Sequence, residues 1–139
     1  MEAKIKWVED AMFLAESGSG HALVVEGPPD AGGLNRGVRP MELMLMGLGS
    51  CAAFDVVHIL KKGRHDVRSC VAELRAQRAD NEPKVFTEIE MVFKVSGHEL
   101  KPQAVERAVH LSAEKYCSAS IMLGRAGVEL KHSYEIIDA

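Results

Sequence analysis

The stretch from Arg39 to Lys62, RPMELMLMGLGSCAAFDVVHILKK, reads as one long helix, and the rest of the chain takes its meaning from that reading. Pro40 falls where a first helical turn tolerates proline, Glu42 lies in that turn where the helix dipole favours an acid, and Lys61, Lys62 and Gly63 supply a C-terminal stop. Between Leu43 and Phe54 no side chain is charged and apolar groups point in every direction. That pattern predicts a central core helix enclosed by protein on nearly all sides. A membrane span needs ~20 apolar residues, and Glu42 and Asp55 cut the uncharged run short of that length. No membrane partner is therefore expected.

In the middle of the helix stands Cys51, within Gly47-Leu-Gly-Ser-Cys-Ala-Ala53. Small residues let another backbone or a substrate approach closely, although each glycine in a helix interior costs about 1 kcal/mol relative to alanine. Such a cost implies a packing or functional reason. Cys51 is then either a small buried hydrophobe, the commonest fate of a free cysteine, or a working thiol, and spacing alone leaves both open.

At 139 residues the chain suits one domain that can bury a sizeable core, divided as N-terminal strands and loop (1–38), central helix (39–63) and a strand-helix-strand part (64–139). A 47% apolar and 27% charged composition is that of an ordinary soluble protein. With a net charge of −3 and no Lys/Arg cluster interleaved with aromatics, nucleic acid is not an expected partner. The first residues, MEAKIKWVED, lack the apolar core of a signal peptide, so a cytoplasmic, reducing location is expected. Three widely spaced cysteines, Cys51, Cys70 and Cys117, do not resemble a secreted disulfide framework.

Ahead of the helix, Lys4–Glu9, Met12–Glu16 and His21–Glu26 are short strand-like runs separated by Glu9-Asp10 and Ser17-Gly-Ser-Gly20, which suggests an antiparallel meander. A Gly- and Pro-rich segment from Gly27 to Gly37 must be a loop, either a plain connector or a functional one. Beyond the helix, Asp66–Arg78 reads as a strand with Val67, Val71, Ala72 and Leu74 inward, followed by a turn at Asp80–Pro83. From Val85 to Val95 the alternation is clearest: Val85, Thr87, Ile89, Met91, Phe93 and Val95 share one face. An amphipathic helix is expected over Lys101–Tyr116, a short one over Ala119–Leu123 capped by Ser118, and a closing strand over Val128–Ile137. The fold class is α+β.

Cysteine chemistry runs through the thiolate, whose formation is helped by a cation or a helix N-terminus. Cys117 lies at a helix junction where backbone N–H groups are available. Arg36 and Arg39 flank the start of the central helix as candidate cations, but Arg39 is about 18 Å from Cys51 along its own helix at 1.5 Å per residue. Any arginine that activates Cys51 must come from another segment or chain, and a solvated loop charge is the plainer reading of both. A zinc site using Cys51, His58 and Cys117 has little support, because structural zinc sites show close ligand pairs and none occurs here; no metal and no cofactor are expected. His21, His65, His98, His110 and His132 read as surface residues and Cys70 as core filler.

Arg39-Pro-Met-Glu-Leu-Met-Leu-Met-Gly-Leu-Gly-Ser-Cys51, followed far downstream by Ala113-Glu-Lys-Tyr-Cys-Ser-Ala-Ser120, resembles the OsmC/Ohr family of osmotically inducible and organic-hydroperoxide-resistance proteins over nearly the whole chain. The resemblance implies antiparallel sheets packed around the long helix and a tightly intertwined homodimer. It also implies a thiol peroxidase of the oxidative stress response that reduces organic hydroperoxides. The cysteine at Cys51 would become a sulfenic acid and the one at Cys117 would close a disulfide, reopened by an external dithiol. Two positions depart from the family pattern: the stretch Ser17–His21 lacks the arginine that helps form the thiolate, and Met41 stands where a glutamate follows the helix's proline. Glu42 is one step further, turned by about 100°, and His21, Arg36 or Arg39 of a partner chain are the candidate replacements for the cation. The alternative is a dimer of the same fold that binds a small apolar or thiol-reactive ligand with little turnover.

Overall fold

The computed structural model describes residues 1–137. Its contacts divide the chain into two compact units, Met1–Met44 and a second beginning at Leu45. In the first, β1 (Ala3–Glu9), β2 (Met12–Ser17) and β3 (Ala22–Glu26) form an antiparallel meander in chain order. Its apolar side chains are largely bare: Ile5 and Trp7 are each 62% exposed.

What the meander buries is a carboxylate. Glu26 ends β3 with no exposed surface and accepts hydrogen bonds from the backbone N–H of Leu34 and Arg36 and from the Arg36 guanidinium. Arg36 reaches Glu9 and Asp10 as well. The Gly- and Pro-rich segment is therefore wrapped on a buried acid rather than being a plain connector, and Gly33 and Gly37 pass so close to other backbone that a Cβ would lie 1.9 Å from the Gly27 carbonyl or 2.5 Å from that of Val24. Arg36, helped by the Leu34 amide, holds the Glu26 carboxyl down at about 2 against a usual 4.5. A depressed acid contributes stability that is present above its unfolded value and lost as pH falls through the folded one. The melting temperature should therefore drop as pH is lowered from about 4.5 toward 2. Glu26→Gln should melt several degrees lower at neutral pH and flatten that acid limb; an unchanged melting curve across the range would contradict the assignment.

Helix α1 (Pro40–Lys62) begins as its sequence requires: Glu42 reaches back to the Arg39 N–H at 2.9 Å, half of a capping box. Leu48, Gly49, Ala52, Val56 and Leu60 are buried on one stripe at helical spacing, whereas Met44, Met46 and Phe54 are 48%, 52% and 67% exposed. The expectation of a helix enclosed all round does not hold for the single chain, because one layer of its own structure can cover only one face. By length and a hydropathy of 1.8 the helix passes for a membrane span, a test that core helices of soluble proteins also pass. Gly49 has a packing reason, since a Cβ there would sit 2.8 Å from Leu74 Cδ1; Gly47 faces open space and has none.

In the second unit β4 (Asp66–Arg78) and β5 (Phe86–His98) form a long antiparallel hairpin. A register shift between Val67 and Ser69 reverses the alternation, so Cys70, Ala72, Leu74 and Ala76 turn inward and Val71, expected inside, is exposed. On β5, Ile89, Met91, Phe93 and Val95 are fully buried as their alternation requires, but Val85 and Thr87, expected on the same face, are exposed and Phe86 is buried instead, where the pairing shifts register between Gln77 and Arg78. Helix α2 (Pro102–Leu111), a π turn (Ser112–Tyr116) and α3 (Ser118–Arg125) then return the chain to β6 (Glu129–Ile136). That helical crossover lets β6 pair parallel to β5, so the sheet, in order β4-β5-β6, is mixed rather than antiparallel as expected. His132 on β6 is half-buried instead of exposed, its Nε2 sealed without a partner and its imidazole pushed down by burial.

Candidate functional site

The sulfur of Cys51, a carboxylate oxygen of Asp55 and the sulfur of Cys117 all lie within 4.8 Å of one another. Cys51 and Asp55, four residues apart, share a face of α1. Cys117 is brought to them by the π turn. Its wider ring is closed by the Cys117 N–H donating to the Ser112 carbonyl at 2.8 Å, which breaks the single helix expected over Lys101–Tyr116. The turn also carries Ser112, fully buried, whose hydroxyl stands 3.3 Å from the Ala52 carbonyl on α1 and 3.3 Å from Asp55 Oδ2. One proton serves one of these acceptors at a time.

The expected cap of the following helix, Ser118, is displaced by Cys117 itself. Extended at φ −75°, ψ 100°, Cys117 precedes the first helical residue, and its sulfur accepts the Ser120 N–H at 3.4 Å. It has no exposed surface, and burial pushes its thiol up, opposed by the Ser120 donors. Cys51 is half-exposed. The two thiols thus differ in access, one open to an incoming molecule and the other behind it. Burial likewise raises the Asp55 carboxyl, with the Ser112 hydroxyl pulling the other way.

The remaining expected site residues lie in the N-terminal unit and are engaged there. Arg36 is held by Glu26, Glu9 and Asp10; Arg39 donates to Asn35 Oδ1 at 2.6 Å; Glu42 caps α1; exposed His21 meets Ser19 at 3.3 Å. His58 stacks on Phe54, ring centroids 5.5 Å apart, and is not among the clustered donors. Two thiols and a carboxylate form a donor set that zinc accepts, and Asp55, not His58, completes it. Sequence reasoning passed over Asp55 and Ser112. Its signal was legible: an acid one helical turn after Cys51 in an otherwise uncharged run. Cys70, opposite Val95 on β4, is not part of the cluster.

A family model described as OsmC-like protein matches residues 32–133. This chain belongs to the OsmC-like family. Its whole length is 48% identical over 139 residues to Protein YhfA of Escherichia coli strain K12, covering 100% of both chains. A hypothetical protein from Aquifex aeolicus VF5 is 34% identical, with a TM-score of 0.86 over 99% of this chain and 96% of that one. An organic hydroperoxide resistance protein, OsmC, from Legionella pneumophila shares the OsmC-like fold at 18% identity, with a TM-score of 0.70 over 96% and 95% of the two chains. The α+β arrangement of two small sheets with three helices is that of the family.

Proposed function

We propose that this OsmC-like protein is a thiol-dependent peroxidase that reduces organic hydroperoxides in the cytoplasm. The observation that carries this reading is the pairing of a half-exposed Cys51 sulfur with a buried Cys117 sulfur within 4.8 Å. At that separation a side-chain movement, not refolding, brings the sulfurs to a bond of about 2 Å. A reading in which the cysteines never meet is disfavoured by the same distance. The accessible thiol, Cys51, attacks the peroxide and becomes a sulfenic acid as the alcohol leaves. Cys117 then attacks that sulfur, water departs, and an external dithiol reduces the resulting disulfide. A groove of about 480 Å³ that opens beside Asp55 of the cluster, lined also by Ile59, Leu111 and Tyr116, has room for an organic group.

The active form in this reading is a homodimer. Ile5 and Trp7 in the N-terminal sheet and Met46 and Phe54 on α1 leave more apolar surface open than a monomer usually does, and a second copy supplies the missing cover. The same groove also favours a second reading, a dimer that holds a small apolar ligand without turnover.

Dithiothreitol-dependent consumption of cumene hydroperoxide decides between them. The native protein should turn over, Cys51→Ser should lose at least about 10³-fold in rate because a hydroxyl cannot replace the thiolate nucleophile, and Cys70→Ser should match the native protein. Equal rates for native and Cys51→Ser protein would overturn the peroxidase reading. Saturable ligand binding by Cys51→Ser, with no oxidation of the native chain, would establish the second.

A further inference from the structure

The family resemblance leaves the activation of Cys51 without its arginine, and the three candidate replacements, His21, Arg36 and Arg39, are engaged in the N-terminal unit. The cluster itself contains another ionisable group. We infer that Asp55 is the proton carrier of this site, accepting the thiol proton from each cysteine in turn and delivering it to each leaving oxygen. This deepens the peroxidase reading and rests on it.

Asp55 is the one carboxylate in the three-residue cluster with the two sulfurs, so a proton passes between them directly or through one water. The buried Ser112 hydroxyl stands 3.3 Å from its Oδ2 and is placed to donate a hydrogen bond to it. Burial raises the carboxyl above its ordinary value, and the Ser112 hydroxyl and His58 pull it the other way.

The steps balance. Asp55 carboxylate takes the Cys51 proton; the sulfur attacks the terminal peroxide oxygen, a sulfur–oxygen bond forms, the oxygen–oxygen bond breaks, and the electron pair leaves on the alkoxide. Asp55 returns the proton to that alkoxide, releasing the alcohol and leaving a sulfenic acid. In the second half Asp55 takes the Cys117 proton; Cys117 sulfur bonds to Cys51 sulfur, the sulfur–oxygen bond breaks, and the departing hydroxide takes the proton to become water. One carboxylate serves both halves and ends as it began.

Asp55→Asn tests this, because an amide oxygen still accepts the Ser112 hydrogen bond but takes no proton. Cys51 reactivity is read in two ways across pH: oxidation by cumene hydroperoxide, and alkylation by iodoacetamide, which needs thiolate but no peroxide. Groups facing Asp55 that titrate or carry charge are the two thiols, His58 on its own helix, and Lys62, Arg107 and Tyr116 around the adjoining cleft of about 480 Å³. All remain in the variant. The native protein should level off below the ordinary thiol value of about 8.5, whereas Asp55→Asn should keep rising with pH through it and be about 100-fold slower at pH 7. Ser112→Ala keeps the carboxyl but removes its donor, so its profile should level off at higher pH than the native one. Identical profile shapes in native and Asp55→Asn protein, with an unchanged melting temperature, would overturn the inference. If Asp55→Asn does not fold, an unshifted Ser112→Ala profile would do so. If peroxide leaves Cys51 untouched while the alkylation profiles still separate, peroxide reduction is what fails and proton holding by Asp55 stands.

Discussion

A Cys117→Ser variant is expected to consume one equivalent of cumene hydroperoxide per chain and then stop. Cys51 stays half-exposed in the variant, so the first attack proceeds, but no second thiol remains to expel the oxygen. The product is a sulfenic acid at Cys51 that dimedone traps, and turnover with dithiothreitol should fall by about 100-fold, the residue coming from direct attack by the external thiol. Serine keeps the capping role, because its hydroxyl accepts the Ser120 N–H that the sulfur now accepts at 3.4 Å. Stability should consequently change little while turnover collapses. Full turnover in Cys117→Ser would show that the buried thiol has no part in resolution.

Phe54→Asp is expected to separate the proposed homodimer into monomers without unfolding them. Phe54 is 67% exposed in the single chain, so its replacement removes little of the chain's own core. In a dimer that covers α1, the same change strips an aromatic anchor and places a carboxylate in an apolar contact, worth together on the order of 100-fold in the dissociation constant. Sedimentation velocity at micromolar concentration reads the change directly. A dimer of native strength in Phe54→Asp would move the interface away from this face of α1; a monomeric native protein would dispose of the dimer altogether.

What could be read from the chain, and what could not, follows from the range of the interactions involved. Strand β5 was legible from Ile89 onward because Ile89, Met91, Phe93 and Val95 recur at every second position and are wholly buried, whereas Val85 and Thr87, read onto the same face, are exposed. Val71 was misplaced because a bulge one turn of the pleat earlier reverses the alternation, and nothing local announces a bulge. The parallel pairing of β6 depends on where a helical crossover returns the chain, a long-range outcome that periodicity does not carry. In α1 the buried stripe was hidden by uniformity: with apolar groups all round, no moment marks which face the chain covers. The site was half visible. Cys51 and Cys117 stood out through their surrounding motifs, whereas the meeting of their sulfurs depends on a π turn no sequence pattern predicted. Asp55 was read only as a charge that shortened an apolar run, although its spacing from Cys51 already placed both on one helix face.

The central claim, that Cys51 and Cys117 form a peroxide-driven redox pair, is tested most directly by mass spectrometry of the native protein after one equivalent of cumene hydroperoxide, with remaining thiols alkylated and peptides mapped. A stoichiometric Cys51–Cys117 disulfide, formed before Cys70 is modified, is the result expected. Cys51 still reduced, or oxidised no faster than Cys70, would contradict it.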